Sequence, residues 1–147
     1  MKQFFSPFPI MQPAGIGIIR IIVGLLLVYH GWEVFDSETI KTYTSWDSFK
    51  GFSSPVAMVY FGKGSELLAG ILLTIGLFTR VACIIIMGTF IYITFLVGNG
   101  KFWYEDQHPF MFLLIACMFF FTGPGIFSMD TLLSKQSRKN TIKEMVS

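Results

Sequence analysis

A chain of 147 residues that is 53% hydrophobic and 14% charged, with a mean hydropathy of +0.63, lies outside the range of soluble domains, which run about 45–50% apolar and 25% charged. Its length is that of one domain, and its 17 Phe residues suit surfaces that face acyl chains. The net charge of +2 is scattered with no basic stripe, which excludes nucleic acid as a partner.

Four apolar windows approach the roughly 20 residues that a spanning helix needs. The first, AGIGIIRIIVGLLLVYHGWEVF, runs from Ala14 to Phe35. Arg20 interrupts it and no A-x-A-like cleavage site follows, so it reads as a permanent helix rather than a signal peptide. The link SETIKTYTSWDSFKGFSSP, Ser37 to Pro55, sets Trp46, Phe49 and Phe52 at i, i+3 and i+6. That spacing gives a short interfacial helix one aromatic face, as a belt anchor or as a lid or docking surface over a cavity.

The second window, Val56 to Phe78, carries Lys63 and Glu66 three residues apart. The short link around LFTR makes it an antiparallel hairpin with the third window, Val81 to Gly98. The last window, Pro109 to Gly123, is short and can borrow Ile126 and Phe127 beyond Gly123-Pro124-Gly125. The chain ends in a tail over 131–147, of which KQSRKNTIKEMVS, Lys135 to Ser147, is polar and expected to fray.

Lipid offers no partner for backbone N–H and C=O groups, so these segments should be helices. The alternation of a membrane barrel is missing. The fold class is therefore an all-α membrane protein: one domain over 1–147, a four-transmembrane-helix bundle with spans near 14–35, 56–78, 81–98 and 108–123 and an outer loop over 36–55. With both termini in the cytoplasm, the inner side holds Lys2, Arg80, Lys135, Arg138, Lys139 and Lys143, and the outer side only Lys41, Lys50 and Lys101, as the basic-residue bias of inner loops requires.

Ionisable residues inside the spans are expensive and ask for a reason. At 1.5 Å per residue, His30 lies about 8 Å and Glu33 about 3 Å below the outer end of the first helix, Lys63 about 9 Å and Glu66 about 13 Å below that of the second, and Arg20 roughly 22 Å down. Turning about 100° per residue, Lys63 and Glu66 differ by some 60°, as do His30 and Glu33, and Arg20 and His30 by about 80°. Gly24, Gly31 and Gly70 extend the same side, where small residues let helices approach. Arg20, His30, Glu33, Lys63 and Glu66 thus describe an inward polar seam in which Arg20 can approach Glu66. Three readings of it stay open: a buried ion pair that fixes helix register, a polar pocket for a headgroup or quinone, and a proton or ion path. Lys63 alone can also snorkel to the outer interface.

Other chemistries find little footing. His30 and Glu33 supply only two ligands on one helix face, and nothing fixes the spacing of Glu105, Asp106 and His108 against them, so no metal site is assigned. Gly15-Ile-Gly17 is too little for a phosphate loop, and neither a nucleophile elbow nor a zinc-peptidase motif is present. Cys83 and Cys117 lie in separate spans with no C-x-x-C pairing and read as small buried apolar groups.

Arg20-x-x-x-Gly24 followed by YHG (His30, Gly31), then ELLAGILLTIGLFTR with Glu66, Gly70, Gly76 and Arg80, then GNGKFW, and finally GPGIFSMD with Gly123, Pro124, Gly125, Ser128 and Asp130 resemble the helices, outer loop and closing motif of the DoxX family. The resemblance covers about residues 12 to 134. It implies a multi-pass protein of the bacterial inner membrane; some relatives are membrane subunits of thiosulfate:quinone oxidoreductase or sit beside redox partners, and most have no assigned role. The chain departs from the family at Val34, where relatives often carry Lys, and in ITFLVGNG, which lacks a His common there. The protein expected on this resemblance is a membrane subunit with a polar intramembrane pocket, handling electrons through a bound quinone or a partner redox protein rather than acting as a stand-alone enzyme. In the pocket Arg20 and Glu66 shape the walls and His30 bonds a carbonyl or exchanges a proton. An assembly protein docking through its aromatic loop, or a small-solute or proton transporter, are the other classes. With only four helices, a homo-oligomer or a partner membrane protein is expected within the bilayer.

Overall fold

The computed structural model describes residues 10–49, 51 and 53–146, with side chains to Ile142; Lys2, Lys50 and Phe52 lie outside the described residues, as does the side chain of Lys143. The described residues form helices and no strand: α1 (Gln12–Gly31), α2 (Ser37–Thr44), α3 (Pro55–Ile75), α4 (Thr79–Tyr92), α5 (Gln107–Thr122) and α6 (Met129–Val146). Three stretches are long and apolar enough to cross a membrane: α1 with its 3-10 extension, Gln12–Phe35; α3, Pro55–Ile75; and α4 with a terminal π-turn, Thr79–Val97. The fourth apolar helix, α5, is shorter, at 16 residues.

Helix boundaries are set by local chemistry. Proline opens both α1 and α3, where its missing N–H would have no partner anyway. Asp36 caps α2, its carboxylate accepting from the Glu38 and Thr39 N–H groups at 3.1 and 3.4 Å and from the Thr39 hydroxyl at 2.7 Å. Those bonds hold the Asp36 carboxyl below its ordinary pKa, the Thr39 hydroxyl contributing most. α3 stops at Gly76, which turns left-handed at φ 66°, a conformation glycine takes without strain.

The loop over 36–55 is not one interfacial helix. It folds as α2 and a 3-10 turn, Asp47–Phe49, and Phe49 is buried with Ile40 and Val59 while Trp46 stays exposed. Nor does α5 continue through Ile126 and Phe127. Gly123 and Gly125 have φ 80° and 74°, and the chain reverses so that the Ile126 N–H reaches the Pro13 carbonyl at 3.2 Å. The tail expected to fray is helical, because Ser128 caps α6, its Oγ accepting from the Thr131 N–H at 3.2 Å, and Asp130 in the first turn favours the helix dipole.

α1 packs along α3, α3 along α4, and α4 along α5. The α1–α3 seam is closed by glycine. A Cβ on Gly70 would lie 2.7 Å from the Val28 nitrogen and one on Gly24 2.6 Å from the Thr74 nitrogen, so the two backbones touch as small-residue interfaces in lipid allow. Leu27, Ala69, Leu73, Cys83, Ile86, Phe90, Phe112 and Phe119 fill the centre. Ile18, Ile22, Leu25, Leu68, Ile84, Leu114 and Phe121 point outward and exposed. An apolar exterior of this kind is what acyl chains solvate.

Asp130 ties the tail to the hairpin. Its two carboxylate oxygens accept from the Phe78 and Thr79 N–H groups at 2.8 and 2.9 Å, while its own N–H donates to the Gly76 carbonyl at 2.9 Å. Phe78 itself brings no capping side chain to α4, so the cap arrives from 51 residues downstream. Asp130→Ala is expected to lower stability by about 1–2 kcal/mol, the worth of a lost helix cap. Thermal unfolding in mild detergent measures it.

Candidate functional site: a pocket with one polar wall

The first helix does not end cleanly after Gly31. It tightens into a 3-10 turn, Trp32–Phe35, that swings Glu33 toward α3. There Lys63 stands between two carboxylates, its Nζ 2.9 Å from Glu33 Oε2 and 3.1 Å from Glu66 Oε2. The Tyr43 hydroxyl, from α2, donates to the same Glu33 oxygen at 2.7 Å, and the Lys63 ammonium lies 5.0 Å from the Tyr43 ring centre, within cation–π range. Burial first, and the bond to Glu33 second, raise the pKa of the Tyr43 hydroxyl, which keeps it a donor.

One turn before Glu33, the His30 ring meets His108 edge-on at 5.4 Å and Phe112 at 6.3 Å. His108 begins α5, so the imidazole pair joins the first and last apolar helices. Together these groups form one wall of a cavity of about 210 Å³. His30, Lys63, Glu66 and His108 line it on one side; Phe90, Tyr92 and Ile93 of α4 and its π-turn, and Tyr43, Trp46 and Phe49 from the link over 36–55, line the rest. Concave, mostly apolar space with a few convergent polar groups is the ordinary form of a small-molecule site.

Four of the five expected pocket residues therefore come together, Glu33 through its ion pair rather than as lining. Arg20 does not join them. It is fully buried near the middle of α1, level with the end of α3, where Nε donates to the Pro124 carbonyl at 2.8 Å, Nη1 to Thr74 at 2.9 Å and to Leu73, and Nη2 to Phe127. The carbonyls that end α3 carry the negative end of its dipole, and the Gly-Pro-Gly turn adds more acceptors. The guanidinium meets these acceptors close by, so it turns away from Glu66. Gly76 leaves it room, since a Cβ there would sit 2.8 Å from Arg20 Cζ. Arg80 is exposed.

The acids of the link between α4 and α5 are occupied locally. Asp106 accepts from the Asn99 and Lys101 N–H groups at 3.0 and 2.9 Å. Glu105 bonds Lys101 at 3.1 Å and Asn99 at 3.0 Å, and these contacts, Lys101 foremost, lower its pKa. Of Glu105, Asp106 and His108, weighed above against His30, only His108 reaches it. Tyr43 was not legible beforehand; its sole sign was the aromatic character of the link it lies in.

The DoxX family model matches residues 15–99, more than half of the chain. The match contains Arg20, His30, Glu33, Lys63 and Glu66, while Gly123, Pro124, Gly125 and Asp130 lie beyond it. Neither a curated protein nor a solved structure matches the sequence.

Proposed function

The chain belongs to the DoxX family, and from that premise we propose that it is a bacterial inner-membrane subunit whose pocket serves a quinone-linked redox complex. In this reading all four apolar helices cross the bilayer. α5, at 16 residues, extends about 24 Å, short of the ~30 Å hydrocarbon core, which thins locally to meet it. Arg80, Lys135, Arg138 and Lys139 lie at the end of the bundle that holds Arg20, against Lys41 and Lys101 at the α2 end. The excess favours a cytoplasmic position for both termini.

The observation that carries the proposal is the pairing of aromatic walls with a single polar wall. A quinone ring is flat and apolar with carbonyl oxygens at its edge, and it supplies the two-electron chemistry when bound. Phe90, Phe112 and Trp46 give the space for such a ring an aromatic lining. Two of the three N–H donors of Lys63 point at Glu33 and Glu66, leaving the third for a carbonyl. The His30–His108 pair presents further ring N–H donors. Glu66 and Glu33 hold the ammonium in place, and the packed α1–α3 seam keeps bulk water out. Electrons arrive through a partner membrane or redox protein, or through a second copy of the chain.

Protein extracted in mild detergent is expected to carry quinone at near one per chain by mass spectrometry of the bound lipid fraction. His30→Leu should weaken binding about tenfold, the 1.4 kcal/mol of one lost hydrogen bond. Protein that contains no quinone and takes up none from lipid refutes the reading.

A further inference from the structure

The cluster beneath α2 does not balance its charge. Two carboxylates, Glu33 and Glu66, share one ammonium, Lys63, which leaves one negative charge in excess within this cluster. Such a charge inside a membrane protein calls for a neutralising partner. Among the described residues, the other titratable groups around the cavity, one from each remaining element, are His30 of α1, Tyr43 of α2, Tyr92 of α4 and His108 of α5. Of these, the Tyr43 hydroxyl already donates to Glu33 without adding charge.

Access to the cluster is graded. Side-chain exposure falls from 31% at Glu33 to 15% at Lys63 and 4% at Glu66, so water reaches the outermost carboxylate first and the innermost last. On the other side of Glu66 the way is shut. Leu27, Ala69 and Leu73 are fully buried, Gly70 lies directly against the Val28 and Gly24 backbone, and the Arg20 guanidinium fills the far end with its donors on carbonyls. A fixed positive charge there repels an arriving cation as well.

We propose that Glu33, Lys63 and Glu66 form a binding site for one exchangeable proton, and that this proton enters and leaves only through the α2 end of the bundle. Uptake forms an O–H bond on one of the two carboxylates and converts hydronium to water; no electron moves. Lys63 then pairs with the remaining carboxylate, and the wall becomes neutral. The site goes beyond the quinone reading and stands without it, although a ligand hydroxyl in the pocket would meet the same carboxylates.

The test uses the full chain in quinone-free vesicles, prepared once with the α2 end facing outward and once inward. A downward pH step is applied from outside, and infrared difference spectra follow the protonated-carboxyl band. The band is expected at once in α2-out vesicles and only after the lumen acidifies in α2-in vesicles. Exposed acids such as Asp36, Glu38 and Glu105 add to the band in every chain, so the reading is the component that Glu66→Gln and Glu33→Gln should each remove, because one carboxylate on one ammonium needs no proton. Equal speed of that component from both sides, or a band of unchanged size in either variant, overturns the proposal. Because quinone is absent throughout, the result is separate from the quinone content of purified protein.

Discussion

Arg20→Ala lowers the stability of the solubilised chain by about 3–5 kcal/mol, enough to leave little folded protein. The side chain is fully buried and satisfies carbonyls from three places at once: Leu73 and Thr74 at the end of α3, Pro124 in the Gly-Pro-Gly turn, and Phe127 just before α6. Alanine removes every donor and leaves those acceptors facing a void, and an unmet buried polar group costs its full desolvation. Arg20→Lys separates charge from shape. The ammonium keeps the charge but is a point donor without the planar fork, and it cannot reach acceptors spread over α3 and the turn together. It should recover less than half of the loss. Reversible unfolding in mixed micelles, followed by helical circular dichroism, gives both numbers. A cost below about 1 kcal/mol for alanine would match an exposed, freely solvated arginine and would contradict the carbonyl cage.

The misplacement of Arg20 shows where reading a sequence stops. Depth and angle along a helix are fixed by rise and turn per residue, and they put Lys63 beside Glu66 as an i, i+3 pair, where the structure has them. They also bring His30 and Glu33 to the same end as Lys63. The partners of Arg20, however, are backbone carbonyls supplied by a helix terminus and a turn, and backbone acceptors carry no mark in the residue pattern. The three longer helices were legible because apolar runs bounded by Pro, Gly and polar residues leave the chain little choice in lipid. The inward fold of the link over 36–55 was legible only as one of two options. Its aromatic spacing suited either a belt anchor or a cover, and the burial of Phe49 against Ile40 and Val59 decides for packing against the bundle. Contacts across the bundle were harder still. The resemblance to the family left two groups missing, a Lys at 34 and a His at the end of the third helix. In the structure an ammonium and an imidazole stand at the pocket all the same, as Lys63 from α3 and His108 from α5. Which helix supplies a group is a matter of packing, and single-chain spacing cannot state it.

The cation between the two carboxylates gives the second large effect. Lys63→Met keeps the length and apolar stem of the side chain but withdraws the ammonium that Glu33 and Glu66 share. Two acids then face each other in a cavity wall where Glu66 is almost fully enclosed, and the expected cost is about 3–5 kcal/mol, the usual penalty for stripping one partner from a buried pair. That figure measures the stranded charge rather than the worth of the ion pair, and a second substitution tells them apart. In Lys63→Met/Glu66→Met the buried acid leaves with its partner, Glu33 keeps its bond from Tyr43, and two apolar side chains fill the wall. Stability should return to within about 1 kcal/mol of the unaltered chain, as replacements of buried ion pairs by apolar groups commonly do. The interaction energy from the double-mutant cycle is then large and favourable. If Lys63 instead snorkelled to the outer interface, the single change would cost under about 1 kcal/mol and the double would add to it rather than restore it. The sign of that second step decides whether Lys63 belongs to the pocket or to the membrane surface.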